Sequence, residues 1–440
     1  MIWLQFLVVI VSIFWGVRLG GIGLGVMGGL GLCLLTFVFR LQPTSPPIDV
    51  MLMILAVVTA TSALQTAGGM DVLVRKAEHI LRNNPQQITY LGPVVTFFFT
   101  LFSGTGHVAY SILPVISEVA RETGIRPERP LSVAVIASQQ AITASPISAA
   151  TVALLGLTAA SEGAPELIHI LMICIPSTLC GILLAAFVAN RSGKELHEDP
   201  VYLERLKQLK SSGVHKDSRR QDTMGPEAVR SVFLFLAAIS LVILFGACPS
   251  LRQITIKGKE VMLSMADVIE MVMLSATAFI LTFCKVSVSK IPEGGIFKAG
   301  MQAVIAIFGI AWLGDTFFAG NSALLEGSIK DMVRMAPWAF SFALFALSVL
   351  LFSQAATVRA LMPFGLALGI SPALMVAMFP AVNGYFMIPN YPTIVAAIQF
   401  DETGTTRVGR YLFNHSFMIP GLIATTTAVL TGLLLSSFIL

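Results

Sequence analysis

Charge is what this chain has least of. Only 12% of its 440 residues are Asp, Glu, Lys or Arg, whereas 55% are hydrophobic and the mean hydropathy is +0.83. A soluble domain carries about a quarter charged residues, so half that share excludes an ordinary water-soluble globule and points to a polytopic membrane protein. Cysteine is scarce as well. Cys33, Cys174, Cys180, Cys248 and Cys284 show no CxxC or His-paired spacing, and four of the five lie in or at the ends of apolar segments. They read as packing residues, with no metal or redox centre implied. No Walker motif is present, which argues against ATP-driven transport, and nothing in the sequence asks for a cofactor. The run from Gly20 to Gly31 resembles a nucleotide loop only superficially, because no strand precedes it and no acidic partner follows at the right distance. Small residues at membrane helix contacts explain it. The net charge of +4 is small, and the 28 Lys and Arg lie almost wholly in short loops. That distribution suits orientation in a bilayer, not nucleic-acid binding. The N-terminal run Ile2–Val17 lacks a basic leader and an A-x-A-like cleavage site and leads into another apolar run, so it reads as a retained span.

What the chain has in plenty is apolar sequence in membrane-length runs. Crossing about 30 Å of hydrocarbon takes roughly 17–25 helical residues. The first half offers Ile2–Val17, Gly20–Phe39, Val50–Ala67, a broken pair around Ser103, Leu131–Leu157 and Leu167–Ala189. Asn190 to Arg230 is the only long polar segment; its middle, Val201–Lys210, is weakly amphipathic and the rest reads as a flexible linker. The second half offers Ser231–Ala247, Met262–Cys284, Ala299–Phe318, a broken pair around Ser353, Ala373–Phe400 and Tyr411–Leu440.

Both halves therefore run in the same order, and landmarks repeat residue by residue. Phe102-Ser103 and Phe352-Ser353 each follow a Phe-rich run; Pro114 comes eleven residues after Ser103 and Pro363 ten after Ser353. Gly124-Ile125-Arg126-Pro127 is echoed by Gly369-Ile370-Ser371-Pro372, and Pro146 and Pro392 follow these by nineteen and twenty residues. This is an internal repeat, with residues 1–190 as the first copy and 231–440 as the second. If each broken pair (89–121 and 338–370) is a re-entrant hairpin, each half has five true spans, an odd number, and the second half is inverted. With the N-terminus on one side, 21 of the 28 Lys and Arg then fall on the opposite side. The positive-inside rule makes that side, with the 191–230 linker, the cytoplasm and leaves both termini outside. The expected fold is an all-α polytopic membrane protein built from two inverted five-span halves, each with a hairpin and a broken helix.

Inverted halves of this kind bring four irregular points near the midplane: Ser103–His107, Thr143–Ser148, Ser353–Thr357 and Asn390–Thr393. Irregular backbone at that depth survives only inside protein or beside a watery cavity, and half-helix N-termini there present free N–H groups to anions. The candidate substrate-binding residues are Ser103, Gly104, Thr105, Gly106, Ser145, Pro146, Ser148, Ser353, Gln354, Thr357, Asn390 and Thr393. Hydroxyls and amides suit carboxylate oxygens, and two sets match a substrate with a carboxylate at each end. The plain alternative is that these Ser and Thr bond their own backbone or join helices. Arg359 either meets a substrate carboxylate, pairs with Asp315 or snorkels to the interface; His107 either handles a proton or anion or packs between helices. Glu118 and Asp401 sit near span ends, where solvated caps are common.

These stretches resemble the anaerobic C4-dicarboxylate transporter (Dcu) family of bacteria, as do Ala397–Asp401, Gly404-Thr405-Thr406-Arg407-Val408-Gly409 and Phe413–Gly421. The likeness covers nearly the whole chain and is weakest over Asn190–Arg230. Thr143–Ala150 and Gly404–Gly409 look closest to the DcuA branch, whereas His107 looks more like the DcuB branch. The resemblance implies an inner-membrane secondary carrier for fumarate, succinate, malate and aspartate, working by exchange against succinate or fumarate or by cation-coupled uptake, without a nucleotide. It also implies kinship with elevator-type ion-transporter folds, with a moving domain of hairpins and broken helices and a scaffold that forms a homodimer. A membrane-embedded enzyme would want a His/Asp/Glu cluster or a Ser–His pair at membrane depth, and a channel would want a filter repeated around a pore. The dispersed His107, Arg359 and Asp315 provide neither.

Overall fold

A computed structural model describes residues 2–19, 22–46, 48–159, 161, 163–199, 202–204, 225–256, 259–328, 336–351, 353–389, 391–409 and 414–440. The apolar runs form helices nearly where their lengths predict. In the first half these are α1 (Ile2–Leu19), α2 (Gly23–Cys33, continued by a π-helical turn over Leu34–Val38), α3 (Ile48–Thr66) and α4 (Gly69–Asn83). Then follow α5 (Ile88–Ser103), α6 (Ala109–Glu122), α7 (Glu128–Ala144), α8 (Ala149–Thr158) and α9 (Leu167–Asn190). The second half begins with α10 (Pro226–Ala247), a hairpin of β1 (Gln253–Ile256) and β2 (Lys259–Met262), α11 (Met265–Phe283) and α12 (Gly295–Ser328). It ends with α13 (Phe340–Leu351), α14 (Gln354–Ala367), α15 (Pro372–Met378), α16 (Pro392–Phe400) and α17 (Met418–Ile439).

Among the described residues six helices are long and apolar enough to cross a membrane, or eight when the bent pairs α3–α4 and α15–α16, angled by 72° and 57°, are each taken as one span. Three shorter apolar helices among the described residues, Ile2–Gly16, Gly25–Val38 and Pro337–Val349, accompany them. The bend after α3 has a local cause. Gly68 sits at φ 79, a left-handed turn that a side chain disfavours. Beyond it α4 is amphipathic, burying Met70, Ala77 and Leu81 and exposing Asp71, Lys76, His79 and Arg82.

Two expectations need correction. The chain is not helical throughout: β1 and β2 pair antiparallel, Gln253 opposite Met262, because the β-branched Ile254, Thr255 and Ile256 suit a short exposed ribbon. Nor is the polar linker flexible from its start. Arg129 bonds Ser192 O at 2.9 Å and Glu195 at 3.1 Å, while Arg126 bonds Glu128 at 2.5 Å and also Asp199. Both arginines are buried, and their carboxylate partners compensate the cost of burying charge. The linker's first residues are thereby docked on the start of α7. Of Val201–Lys210, only Tyr202–Glu204 lie among the described residues.

The packing has a dense centre and a second seam. The span through α7 and α8 is 72% buried, against 28% for α17, so the break between α7 and α8 is enclosed by protein, where irregular backbone is tolerated. α5 runs along α7, and α9 along α17. The seam joins α2 to α12. A Cβ on Gly25 would lie 2.0 Å from Ile305 O, and one on Gly309 would lie 1.8 Å from Gly25 O. Backbones meet there directly, so the glycine run of α2 serves helix contact.

Candidate functional site

The first break is built by one glycine and held by one serine. α5 stops at Ser103 because Gly104 takes φ 70, where its N–H returns to Thr100 O at 2.8 Å. Ser103 Oγ donates to Thr105 O at 3.2 Å and Thr100 O at 3.4 Å, so its proton stays within the turn. The turn then rests on the second break. A Cβ on Gly104 would lie 3.1 Å from Ile147 O, and Ser145 Oγ donates to Leu101 O at 2.7 Å. Ser145 is extended ahead of Pro146, and Ser148 caps α8, accepting Thr151 N at 3.1 Å and donating to Ile142 O at 2.5 Å. Of His107 only the backbone is described, in the middle of the 3-10 turn Gly106–Val108, and Asn390 lies outside the described residues.

The turn before α14 at Ser353, the second expected hairpin tip where Ser103–Gly106 is the first, uses a different device. Ser353 is extended and caps α14, accepting Ala356 N at 3.2 Å, while Thr357 Oγ1 donates to Ser353 O at 2.8 Å. At the starts of α8 and α14 a serine oxygen therefore already satisfies one N–H, which corrects the expectation of free N-termini at those two helices. Among the described residues no side chain caps the N-terminus of α16, and the buried Thr393 hydroxyl has no partner.

What joins the tips is a buried amide network that the sequence reading missed. Gln354 Nε2 donates to Gln139 Oε1 at 2.9 Å and to Asn383 Oδ1 at 3.1 Å. Asn383 Nδ2 donates to Gln140 Oε1 at 3.2 Å and Pro380 O at 3.1 Å, and Gln140 Nε2 reaches Thr425 Oγ1 on α17 at 2.9 Å. On the other side, a Cβ on Gly106 would stand 2.3 Å from Gln139 Nε2. First tip, second tip and both broken helices thus meet around Gln139. Two adjacent amides within Ala134–Ala141, a stretch of a span whose other residues are apolar but for Ser138, were the available signal.

The charged candidates lie apart from this meeting point or on its edge. Arg359 is buried on α14 and within electrostatic range of Asp315 on α12, which supports the Asp315 pairing among its three options. Asp401 is buried, not a solvated cap: it accepts Thr403 N at 2.9 Å, Thr405 Oγ1 at 2.9 Å, Thr406 N at 2.5 Å and the Thr403 hydroxyl. The Gly404-Thr405-Thr406 phrase is therefore a loop wrapped around a carboxylate. Glu118 reaches Arg82 at 3.0 Å.

A cavity of about 640 Å³ lies away from the tips, where the start of α7, the end of α9 and the approach to α17 come together. Arg126, Arg129, Arg407, Glu128 and His415 line it. Burial disfavours the Arg126 cation, yet its bonds to Glu128 and Asp199 more than offset this and raise its pKa. Burial lowers the pKa of His415, opposed by the Met387 backbone.

Comparison with known proteins follows the same outline. A family model described as anaerobic C4-dicarboxylate membrane transporter matches residues 1–440. The chain belongs to that family. Among its relatives, C4-dicarboxylate transporter DcuA of Wolinella succinogenes is 43% identical over 441 residues, 99% of each chain. DcuA of Escherichia coli K12 is 42% identical over the full length of both chains. Anaerobic C4-dicarboxylate transporter DcuB of Escherichia coli O6:H1 is 41% identical, covering 98% of this chain and 97% of that one. The family member's fold is similar to two solved structures. One is MtrF of Neisseria gonorrhoeae, with a TM-score of 0.54 at 12% identity over 93% of this chain and 84% of that one. The other is the YdaH transporter of Alcanivorax borkumensis, with a TM-score of 0.54 at 14% identity over 93% and 89%. At those identities the likeness is one of fold alone. The chain is thus a multi-pass membrane transporter, not an enzyme.

Proposed function

We propose that the chain is a secondary active carrier of C4-dicarboxylates (fumarate, succinate, malate and aspartate) across the bacterial inner membrane, working mainly by exchange against succinate. The observation that carries this reading is the meeting of the two breaks at Gln139, with Gly106 packed on one end of its amide and Gln354 donating to the other. Amide N–H groups, hydroxyls and the uncapped N–H groups at helix starts are the donors that carboxylate oxygens accept. Two such sets, one at each tip, suit a dianion. The substrate set is Ser103 to Gly106, Ser145, Pro146, Ser148, Ser353, Gln354, Thr357, Asn390 and Thr393. In exchange, the two dicarboxylate gradients drive transport and no nucleotide is consumed.

The proposed architecture is an inverted repeat, 1–190 and 231–440, with both termini outside and the 191–230 linker in the cytoplasm. Hairpin 89–121 opens from the cytoplasm and hairpin 338–370 from outside. The repeated order of break, helix and break in α5–α8 and α13–α16 supports this. The hairpins and broken helices then move together in an elevator step against a scaffold containing the α2–α12 seam, and the scaffold also forms a homodimer. Proteoliposomes test the function. Labelled fumarate or aspartate accumulates only in vesicles preloaded with succinate; uptake into empty vesicles driven by a Na⁺ or proton gradient replaces exchange with symport, and no uptake sinks the carrier reading. Ser103→Ala and Ser353→Ala each weaken succinate binding. If neither does, the tips are not the site.

A further inference from the structure

Gln139 turns its two amide ends to different halves of the chain. Its Oε1 accepts from Gln354 Nε2 at 2.9 Å. Among the described residues its Nε2 reaches only the hydroxyl of the adjacent Ser138, at 3.3 Å, and it lies against Gly106, where a Cβ would stand 2.3 Å away. The rest of the network is tightly engaged. Gln354 Nε2 and Asn383 Nδ2 each give two bonds, and Gln140 Nε2 bonds Thr425 at 2.9 Å. The most loosely held amide donor in this buried group is therefore Gln139 Nε2, on a residue only 1% exposed and facing the first tip. A distance of 3.3 Å is longer than a full N–H···O bond, and an ionised carboxylate is the acceptor that shortens and strengthens such a bond most.

We infer that Gln139 is a direct substrate contact that selects for the second carboxylate: its Nε2 donates to one end of the dianion beneath the first tip, while its Oε1, held by Gln354, fixes the second tip in register. This rests on the carrier reading above. Gly106 belongs to the same device, because any side chain there would cover the donor. The geometry also separates Gln139 from Gln140, whose bonds run away from the tips to Asn383 and Thr425.

The test is succinate binding to the full-length protein in nanodiscs by calorimetry, with butyrate, which has the same carbon count and one carboxylate, as competitor. Gln139→Leu is expected to weaken succinate by about ten- to hundredfold, the worth of one hydrogen bond to a charged group. The preference for succinate over butyrate should fall with it, because butyrate can use the other tip. Gln139→Asn keeps the amide but withdraws it by one methylene, and should give a smaller loss. Thr425→Val cuts the far end of the network and should leave succinate affinity within about twofold, as among the described residues its Oγ1 bonds only the Gln140 side chain. If the wild type binds no succinate, the carrier reading fails. If the wild type binds and both Gln139 variants match it, the inference alone fails. Equal losses in Gln139→Leu and Thr425→Val with an unchanged succinate-to-butyrate preference would mean that Gln139 only supports the fold, which also overturns it. Should Gln139→Leu not fold, Gln139→Asn decides by the same criteria.

Discussion

Removing the Ser145 hydroxyl shows what holds the first tip. Ser145 is fully buried, and its Oγ donates to Leu101 O at 2.7 Å. Leu101 lies in the last turn of α5, where carbonyls have no helical donor and must find another. Ser145→Ala leaves that carbonyl without its donor in a dry site while changing the packing by little more than one atom. An unpaired buried polar group costs about 1–3 kcal/mol. The tip opens as a small local unit, so that energy becomes roughly a five- to 150-fold rise in its opening equilibrium. Hydrogen exchange read by mass spectrometry on the full-length protein measures this in peptides covering Leu101–Val108, with α9 as internal reference. The expected result is faster exchange at the tip and none of that gain in α9. Unchanged exchange at the tip would refute the role given to this bond, and an equal rise across α9 would refute its being local.

Three further outcomes follow from the packing and the loops. Gly309→Val forces apart backbones that touch at Gly25, and at about 1–3 kcal/mol for overpacking it lowers the melting temperature; Gly29→Ala, with nothing within 4 Å, leaves it unchanged. Asp401→Ala removes the acceptor of two N–H groups and two hydroxyls, so limited proteolysis should cut within 402–409 where the wild type resists. Finally, folding keeps His415 deprotonated: its pKa lies below the ordinary 6.5, and its Nδ1 accepts Phe417 N at 3.2 Å, a bond that protonation there removes. The unfolded chain then binds more protons as pH falls through about 6.5, so stability drops toward pH 5.5. Glu128, Arg126, Arg129 and Arg407 share the cavity with it. His415→Gln should shrink the loss in melting temperature between pH 7.5 and pH 5.5; an unchanged loss would count against it.

The segments that could be read from sequence were those governed by local chemistry. The break at Ser103 follows from two glycines in an apolar run, and Gly104 does take the left-handed turn. Ser148 and Ser353 stand where Ser before an apolar helix caps it, and both do. Misreadings arose where a local rule met a distant partner. Asp401 near a span end suggests a solvated carboxylate, yet the following five residues fold back over it, and Ser117 from α6 bonds the Phe400 carbonyl at 2.9 Å. Likewise the linker looks flexible by composition, but Arg126 and Arg129 precede it by more than sixty residues and dock its start.

Composition and run length alone therefore determined a membrane protein of many apolar spans and the positions of its breaks, and the residues at those breaks carry the resemblance to the transporter family. These depend on neighbours a few residues apart and on the length needed to cross hydrocarbon. Only the tertiary structure decided what the breaks face. Gln139 and Gln354 are 215 residues apart in the chain and 2.9 Å apart in space. No local pattern encodes that meeting, because it arises from how α7 and α14 pack once both halves have folded.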